Sequence, residues 1–221
     1  MDIGKTAGDS FEYAQEGLFG KWTKWFLLVI SCIIFPLFIG YTMRIYRGVH
    51  PSPEPDDWGT MFIDGIKLII VGIIYALPVI ILEIVIIGSA GLALFMGTPH
   101  QSVHPGAVAG LVGAVLAGVL VLVIVAVIIG LVATIAYVRF ARTGSFGEAF
   151  NIRAILATIG RIGWITYIFA LIVMGVIVGI IEVICLLIPV LGIVLFLLLL
   201  PFIGMFSARY ITLLYDSAGE A

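Results

Sequence analysis

Two carboxylates interrupt apolar sequence: Glu83, closing Val79-Ile-Ile-Leu-Glu83, and Glu182, within Ile180-Ile-Glu182-Val-Ile. An ionised carboxylate in an apolar medium is costly, so it takes up a proton or finds a partner. Facing each other, the two would make a proton or cation site; the simpler reading is that each reaches outer headgroups or helps helices pack. His100 and His104 are four residues apart, a spacing that sets two imidazoles on one helical face for a metal. Pro99 and Pro105 bracket them, and no nearby carboxylate or thiol completes a site, so a plain surface loop without metal is the expectation. Cys32 and Cys185 lie in apolar sequence and read as small packing residues. No Gly-x-Ser-x-Gly elbow, His-Glu-x-x-His helix or phosphate-cradling loop occurs, so the sequence predicts neither an enzyme nor a cofactor.

The elements that must hold these residues follow from composition. Of 221 residues, 62% are hydrophobic and 11% charged. A water-soluble domain needs a more polar exterior than that, so the chain reads as an integral membrane protein. A net charge of −2 and two cysteines exclude a nucleic-acid binder and a disulfide-stapled secreted scaffold. No Asp, Glu, Lys or Arg occurs between Glu83 and Arg139. A helical span needs about 20 apolar residues. Four segments qualify: Met61 to Ile87, Ala107 to Val138, Ile162 to Ile188 and Val190 to Tyr215. The expected fold is an all-α, polytopic transmembrane helix bundle, a single membrane domain over residues 1–221. Pro78 sits inside the first span and Pro189 in the tight connection between the last two. Gly175-x-x-x-Gly179, with Gly110, Gly113 and Gly118, suits close helix contacts within the bundle or between subunits, the former being the default. Because no apolar core precedes Trp22, no cleaved signal peptide is expected.

Charge gives the orientation. Arg44 and Arg47 precede the first span, Arg139, Arg142, Arg153 and Arg161 lie between the second and third, and Arg209 is near the end of the fourth. The connections at 88–106 and around Pro189 carry no Lys or Arg, so the basic loops are expected in the cytoplasm and the histidine loop outside. Trp22, Trp25, Trp58 and Trp164, with Arg44, Arg47, Arg139 and Arg142, then fall at headgroup level. Residues 25–46 admit two readings. Their 22 residues suffice for a fifth span, whereas a re-entrant hairpin broken at Pro36 and returning through Gly40 keeps all eleven basic residues inside. An internal pattern favours the hairpin. Gly-x-x-Phe recurs at Gly8, Gly59 and Gly147, and Gly40-Tyr-Thr-Met-Arg44-Ile-Tyr-Arg47-Gly48 resembles Ala136-Tyr-Val-Arg139-Phe-Ala-Arg142-Thr-Gly144. Pseudo-repeats of about 6–48, 56–144 and 145–216 result, each a basic-ended membrane hairpin behind an interfacial stretch.

Residues 6–24 and 145–160 mix aromatic and aliphatic side chains with charges, as in helices lying in the headgroup plane or in polar lead-ins to spans. Ser145 and Glu148 have capping-box spacing. Asp64 and Lys67, three apart, are spaced to pair locally. Pro51-Ser-Pro53-Glu-Pro55 is a proline-stiffened connector, and Asp56 and Asp57 behind it suit a helix N-terminus.

The run from Gly40 to Gly48, then Pro55-Asp-Asp-Trp-Gly59, Phe62-Ile-Asp-Gly65 and Ile74-Tyr-Ala-Leu-Pro78, resembles an archaeal family of multispanning membrane proteins known as domain of unknown function 4013. The likeness is specific over roughly residues 20–80, and this connector is unusually proline-rich for it. The resemblance implies an archaeal cell membrane and no activity, cofactor or catalytic residue. The expected function is that of a structural or subunit-organising membrane protein, with lipids, second copies or other membrane subunits as partners. The alternative is a small transporter or channel using Glu83 and Glu182.

Overall fold

The computed structural model describes residues 2–96, 105–188 and 191–219. Its elements are α1 (Ile3–Leu18), α2 (Trp22–Ile33), α3 (Phe35–Tyr46), α4 (Trp58–Met96), α5 (Pro105–Thr143), α6 (Phe146–Ala149), α7 (Ile152–Ile162), α8 (Trp164–Leu186) and α9 (Leu191–Asp216). Four of these, α4, α5, α8 and α9, are long and apolar enough to cross a membrane. The chain is thus a polytopic helical bundle. His100, His104 and Pro189 lie outside the described residues.

Helices α4 and α5 run 39 residues each, well past the limits expected from hydropathy. At 1.5 Å per residue each is about 58 Å long, more than a bilayer core requires. The extra turns are polar-ended: α4 starts behind Asp57, whose carbonyl accepts from the Met61 amide, and α5 ends in Arg139 and Arg142. Between Ile162 and Trp164 a single residue, Gly163 at φ +92°, separates α7 from α8, so the third span begins two residues later than expected.

The chain forms two compact units, Gly72–Ala133 and the combination of Met1–Val71 with Thr134–Ala221. In the smaller unit α4 and α5 run antiparallel: Gly118 faces Ile86, and Ser89 and Ala90 face Leu111 to Val115 across a shallow groove. Most of its large apolar side chains point outward, the disposition of helices solvated by lipid.

In the larger unit α9 is the hub, packed against α1, α2, α3, α7 and α8. Helix α1 buries Tyr13, Ala14, Gly17 and Leu18, while Phe11 meets Phe202 edge-on at 5.2 Å. Its apolar stripe is therefore covered by protein, leaving Asp9, Glu12 and Glu16 on the exposed side. Asp2 caps α1 by accepting from the Lys5 amide (3.1 Å), and Asn151 caps α7 by accepting from the Ala154 amide (3.1 Å). The expected capping box at Ser145 does not form: the Ser145 side chain makes no cap, and the Glu148 carboxylate that would reach back to it is drawn to Arg139 instead.

Residues 25–46 are not one helix. Two 12-residue helices meet at Ile34, and neither reaches across a bilayer alone, at about 18 Å each. Pro36 stands in the first turn of α3, where its missing N–H costs no hydrogen bond, so the break falls just ahead of the proline and not on it. Lys24 and Tyr41 both bond to the connector, at Ser52 and Pro53, although a straight helix would hold them about 25 Å apart. The chain turns sharply here, and α3 then crosses α4 backbone to backbone. A Cβ at Gly40 would overlap the Met61 carbonyl, and one at Gly65 the Pro36 carbonyl.

Candidate functional site

The charged side chains converge where the helices of the larger unit end. Helices α3 and α5 each close on a positive-φ glycine, Gly48 (φ +83°) and Gly144 (φ +68°). The arginines just before those glycines clasp each other's helix. Arg47 Nε donates to the Ala141 carbonyl (3.3 Å), and Arg142 Nε donates to the Tyr46 carbonyl (2.8 Å). Each arginine thus caps the carbonyl immediately preceding the other, satisfying helix-end acceptors that have no intrahelical partner. The remaining guanidinium nitrogens take carboxylates: Arg47 binds Asp64 at 2.7 Å and Arg142 binds Asp216 at 2.7 and 3.0 Å. Asp64 is therefore held mainly by Arg47, with Lys67 farther off at 4.0 Å.

Two further arginines extend the layer. Arg44 donates to Asp56 Oδ1 (2.6 Å) and to the Glu54 and Asp56 carbonyls (both 3.0 Å), lashing the connector to α3. Of the two aspartates expected to start α4, Asp57 does so, while Asp56 serves Arg44. Arg139 pairs with Glu148, and that hydrogen bond, followed by one from Asn151, holds the Glu148 carboxyl below its ordinary 4.5. A carboxyl with a lowered folded value contributes stability above its unfolded value and loses it as pH falls through the folded one. Protection factors of the α6 and α7 amides, exchange rates corrected for their intrinsic pH dependence, are accordingly expected to fall as pH drops below about 4.5. In Glu148→Gln the protection factors should be low and flat across the same range; an unchanged acid limb in that variant would remove Glu148 as the cause.

The connector hides a cation that spacing gave no reason to single out. Lys24 Nζ, on a side chain only 3% exposed, donates to the Ser52 carbonyl (3.1 Å), Ser52 Oγ (2.9 Å) and Glu54 (3.2 Å). Burial lowers its pKa, and Glu54 opposes that shift. Nearby, Tyr13 donates to the Val49 carbonyl (3.1 Å) beneath the Arg209 guanidinium, 5.0 Å from the ring centre. Burial pushes the Tyr13 phenol up to about 12, with Arg209 pulling the other way, so it stays a neutral donor.

The aromatic residues expected at headgroup level divide. Trp22 is exposed and stacked on Trp25 at 5.7 Å, and Trp164 is exposed at the head of α8. Trp25 Nε1 donates to the Leu198 carbonyl (2.8 Å) and Trp58 Nε1 to the Pro55 carbonyl (2.9 Å), each fixing an element of the larger unit.

Glu83 and Glu182 belong to different units and are both exposed on span helices. Glu182 borders a cavity of about 470 Å³ between α8 and α9, with Cys185, Gly192 and Phe196. Gly192 lies against the Cys185 carbonyl and closes that helix pair. By contrast, among the described residues of the same unit nothing lies within 4 Å of where a Cβ would stand at Gly110, Gly113, Gly175 or Gly179. Among the described residues of their own units, these four make none of the expected helix contacts, because the faces carrying them point away from the helix beside them, whereas Gly118 is packed on Ile86. Among the described residues no group of three or more His, Cys, Asp or Glu side chains is placed to hold a metal.

A family model described as protein of unknown function (DUF4013) matches residues 25–190. The chain belongs to that family. No curated protein and no solved structure matches it. The DUF4013 stretch takes in both clasping helix ends, the connector and the whole of α8, while Asp216, the carboxylate partner of Arg142, stands beyond it.

Proposed function

We propose that the protein is a non-enzymatic, subunit-organising scaffold of an archaeal cell membrane, and that α8 docks a partner transmembrane helix. A stripe on α8 carries the reading. Gly175, Gly179 and Glu182 follow at spacings of four and three, along one flank of the face that buries Tyr167, Ala170 and Cys185. Both glycines leave space within their own unit that a helix backbone could fill, and the exposed Glu182 carboxylate, at the edge of the α8–α9 cavity, is unfavourable in a membrane without a donor. A partner helix bringing a hydrogen-bond donor fills the one and satisfies the other. The partner is a second copy or another membrane subunit, and the arginine clasp, with the basic loops on the cytoplasmic side, is the rigid base that presents the stripe. Membrane patches excised into native-lipid nanodiscs test this. Wild type is expected to emerge in assemblies larger than one chain, and Gly179→Leu as single chains of unchanged helix content; single chains in both would end the scaffold reading.

A second reading rests on the 470 Å³ cavity beside Glu182. There the protein is a small transporter or channel, with Glu83 and Glu182 as its proton or cation groups. It requires flux in proteoliposomes that Glu182→Gln abolishes.

A further inference from the structure

A second cavity, of about 430 Å³, opens where α1 gives way to α2. Lys21, Trp22, Thr23, Lys24, Leu27 and Glu54 line it. Both signs of charge line it. Lys24, 3% exposed, spends its hydrogen bonds on Ser52 and Glu54 and so fixes the Glu54 carboxylate, 61% exposed, at one edge. The lining also carries donors: the exposed Lys21 ammonium, Thr23 and the first turn of α2, which no side chain caps. Such a lining offers a phosphate its donors and an ammonium its carboxylate.

An independent feature points to the rest of the ligand. Trp22, Phe26, Ile30 and Ile33 recur at spacings of four, four and three and are 64%, 60%, 45% and 68% exposed. They make one apolar line running from the cavity along the whole of α2, about 16 Å, enough to lie against a lipid tail. At the cavity mouth Phe19 leans on Trp25 at 5.5 Å and Trp22 stacks on the same ring, a cluster of the kind that settles at the headgroup boundary.

We propose that this cavity binds the headgroup of a phospholipid bearing both a phosphate and a primary amine, with its tail along Trp22, Phe26, Ile30 and Ile33. The phosphate sits on Lys21, Thr23 and the α2 amides; the ammonium sits on Glu54. The proposal depends on the membrane setting of the chain but not on the docking of α8.

Native mass spectrometry of the full chain in detergent, titrated with phosphatidylethanolamine, phosphatidylcholine and phosphatidylglycerol, tests it. The ethanolamine lipid is expected to bind about tenfold more tightly than either of the others, one charge-assisted hydrogen bond being worth about that factor. Lys21→Gln should weaken all three lipids, Ile30→Asn should do the same, and Glu54→Gln should erase the ethanolamine preference alone. Lys5→Gln, an exposed charge removed from α1, should change nothing. Equal binding of the three lipids by wild type, or undiminished binding by Lys21→Gln, would overturn the site. Displacement of the lipid by millimolar inorganic phosphate would also overturn it, assigning the cavity to a soluble phosphate compound.

Discussion

Gly40→Leu is expected to abolish the native fold, and Gly40→Ala to cost about 3 kcal/mol or more, the upper end of what overpacking costs. The side chain would enter the space held by the Met61 carbonyl, and Gly65 faces the Pro36 carbonyl in the same way. Carbonyls of two helix backbones cannot move aside as a side-chain tip can, so α3 and α4 would have to separate. Separation strips the Arg44 and Arg47 contacts that join α3 to Asp56 and Asp64. Gly175→Ala provides the contrast, since no described residue of its unit lies within 4 Å of its added Cβ. Exchanging glycine for alanine within a helix should leave stability level or raise it by about 0.5–1 kcal/mol. Unfolding by sodium dodecyl sulfate in mixed micelles measures both; equal stability of Gly40→Ala and wild type would refute the backbone crossing.

The second large effect is expected at Arg142. This guanidinium meets three elements at once: the Tyr46 carbonyl of α3, both oxygens of Asp216 on α9, and the Gly48 turn, where it fills the space a side chain would need. Arg142→Ala leaves a partly buried carboxylate and a helix-end carbonyl unpaired, at a cost of about 3 kcal/mol. Arg142→Lys should recover less than half, because one ammonium cannot span the carbonyl and the carboxylate as a planar fork does. If Asp216 is the partner, Asp216→Asn combined with Arg142→Ala should cost less than the sum of the two, and strict additivity in that cycle would separate them.

The spans were legible because lipid leaves a plain mark, a run free of charge long enough to cross. The arginine-bearing ends were legible as well, since Gly48 and Gly144 each follow an arginine pair in matching sequence. Their reciprocal clasp was not, for it joins positions 96 residues apart, and the Arg142–Asp216 pair spans 74. Lys24 gave no signal: its partners lie 28 to 30 residues on, in an irregular connector without periodicity to place it. The glycines teach the sharper lesson. Spacing marks a face as small but not what lies opposite, so Gly175 and Gly179 meet no described residue of their own unit, while Gly40 and Gly65, 25 residues apart in no shared motif, support a backbone-to-backbone helix crossing.

Oxygen accessibility of nitroxide labels along α8, in nanodiscs drawn directly from native membrane, measures whether the α8 stripe is covered. Labels at Ile168 and Leu186 lie on the line of Gly175, Gly179 and Glu182 and leave the glycines intact; Phe169 and Ile180 lie on the opposite flank. All four side chains are exposed in the single chain. Low oxygen accessibility at 168 and 186 is expected beside high values at 169 and 180, with Gly179→Leu raising the first pair to the level of the second. Equally high values at all four positions in wild type would leave α8 facing lipid all along that side and contradict the docking of a partner helix.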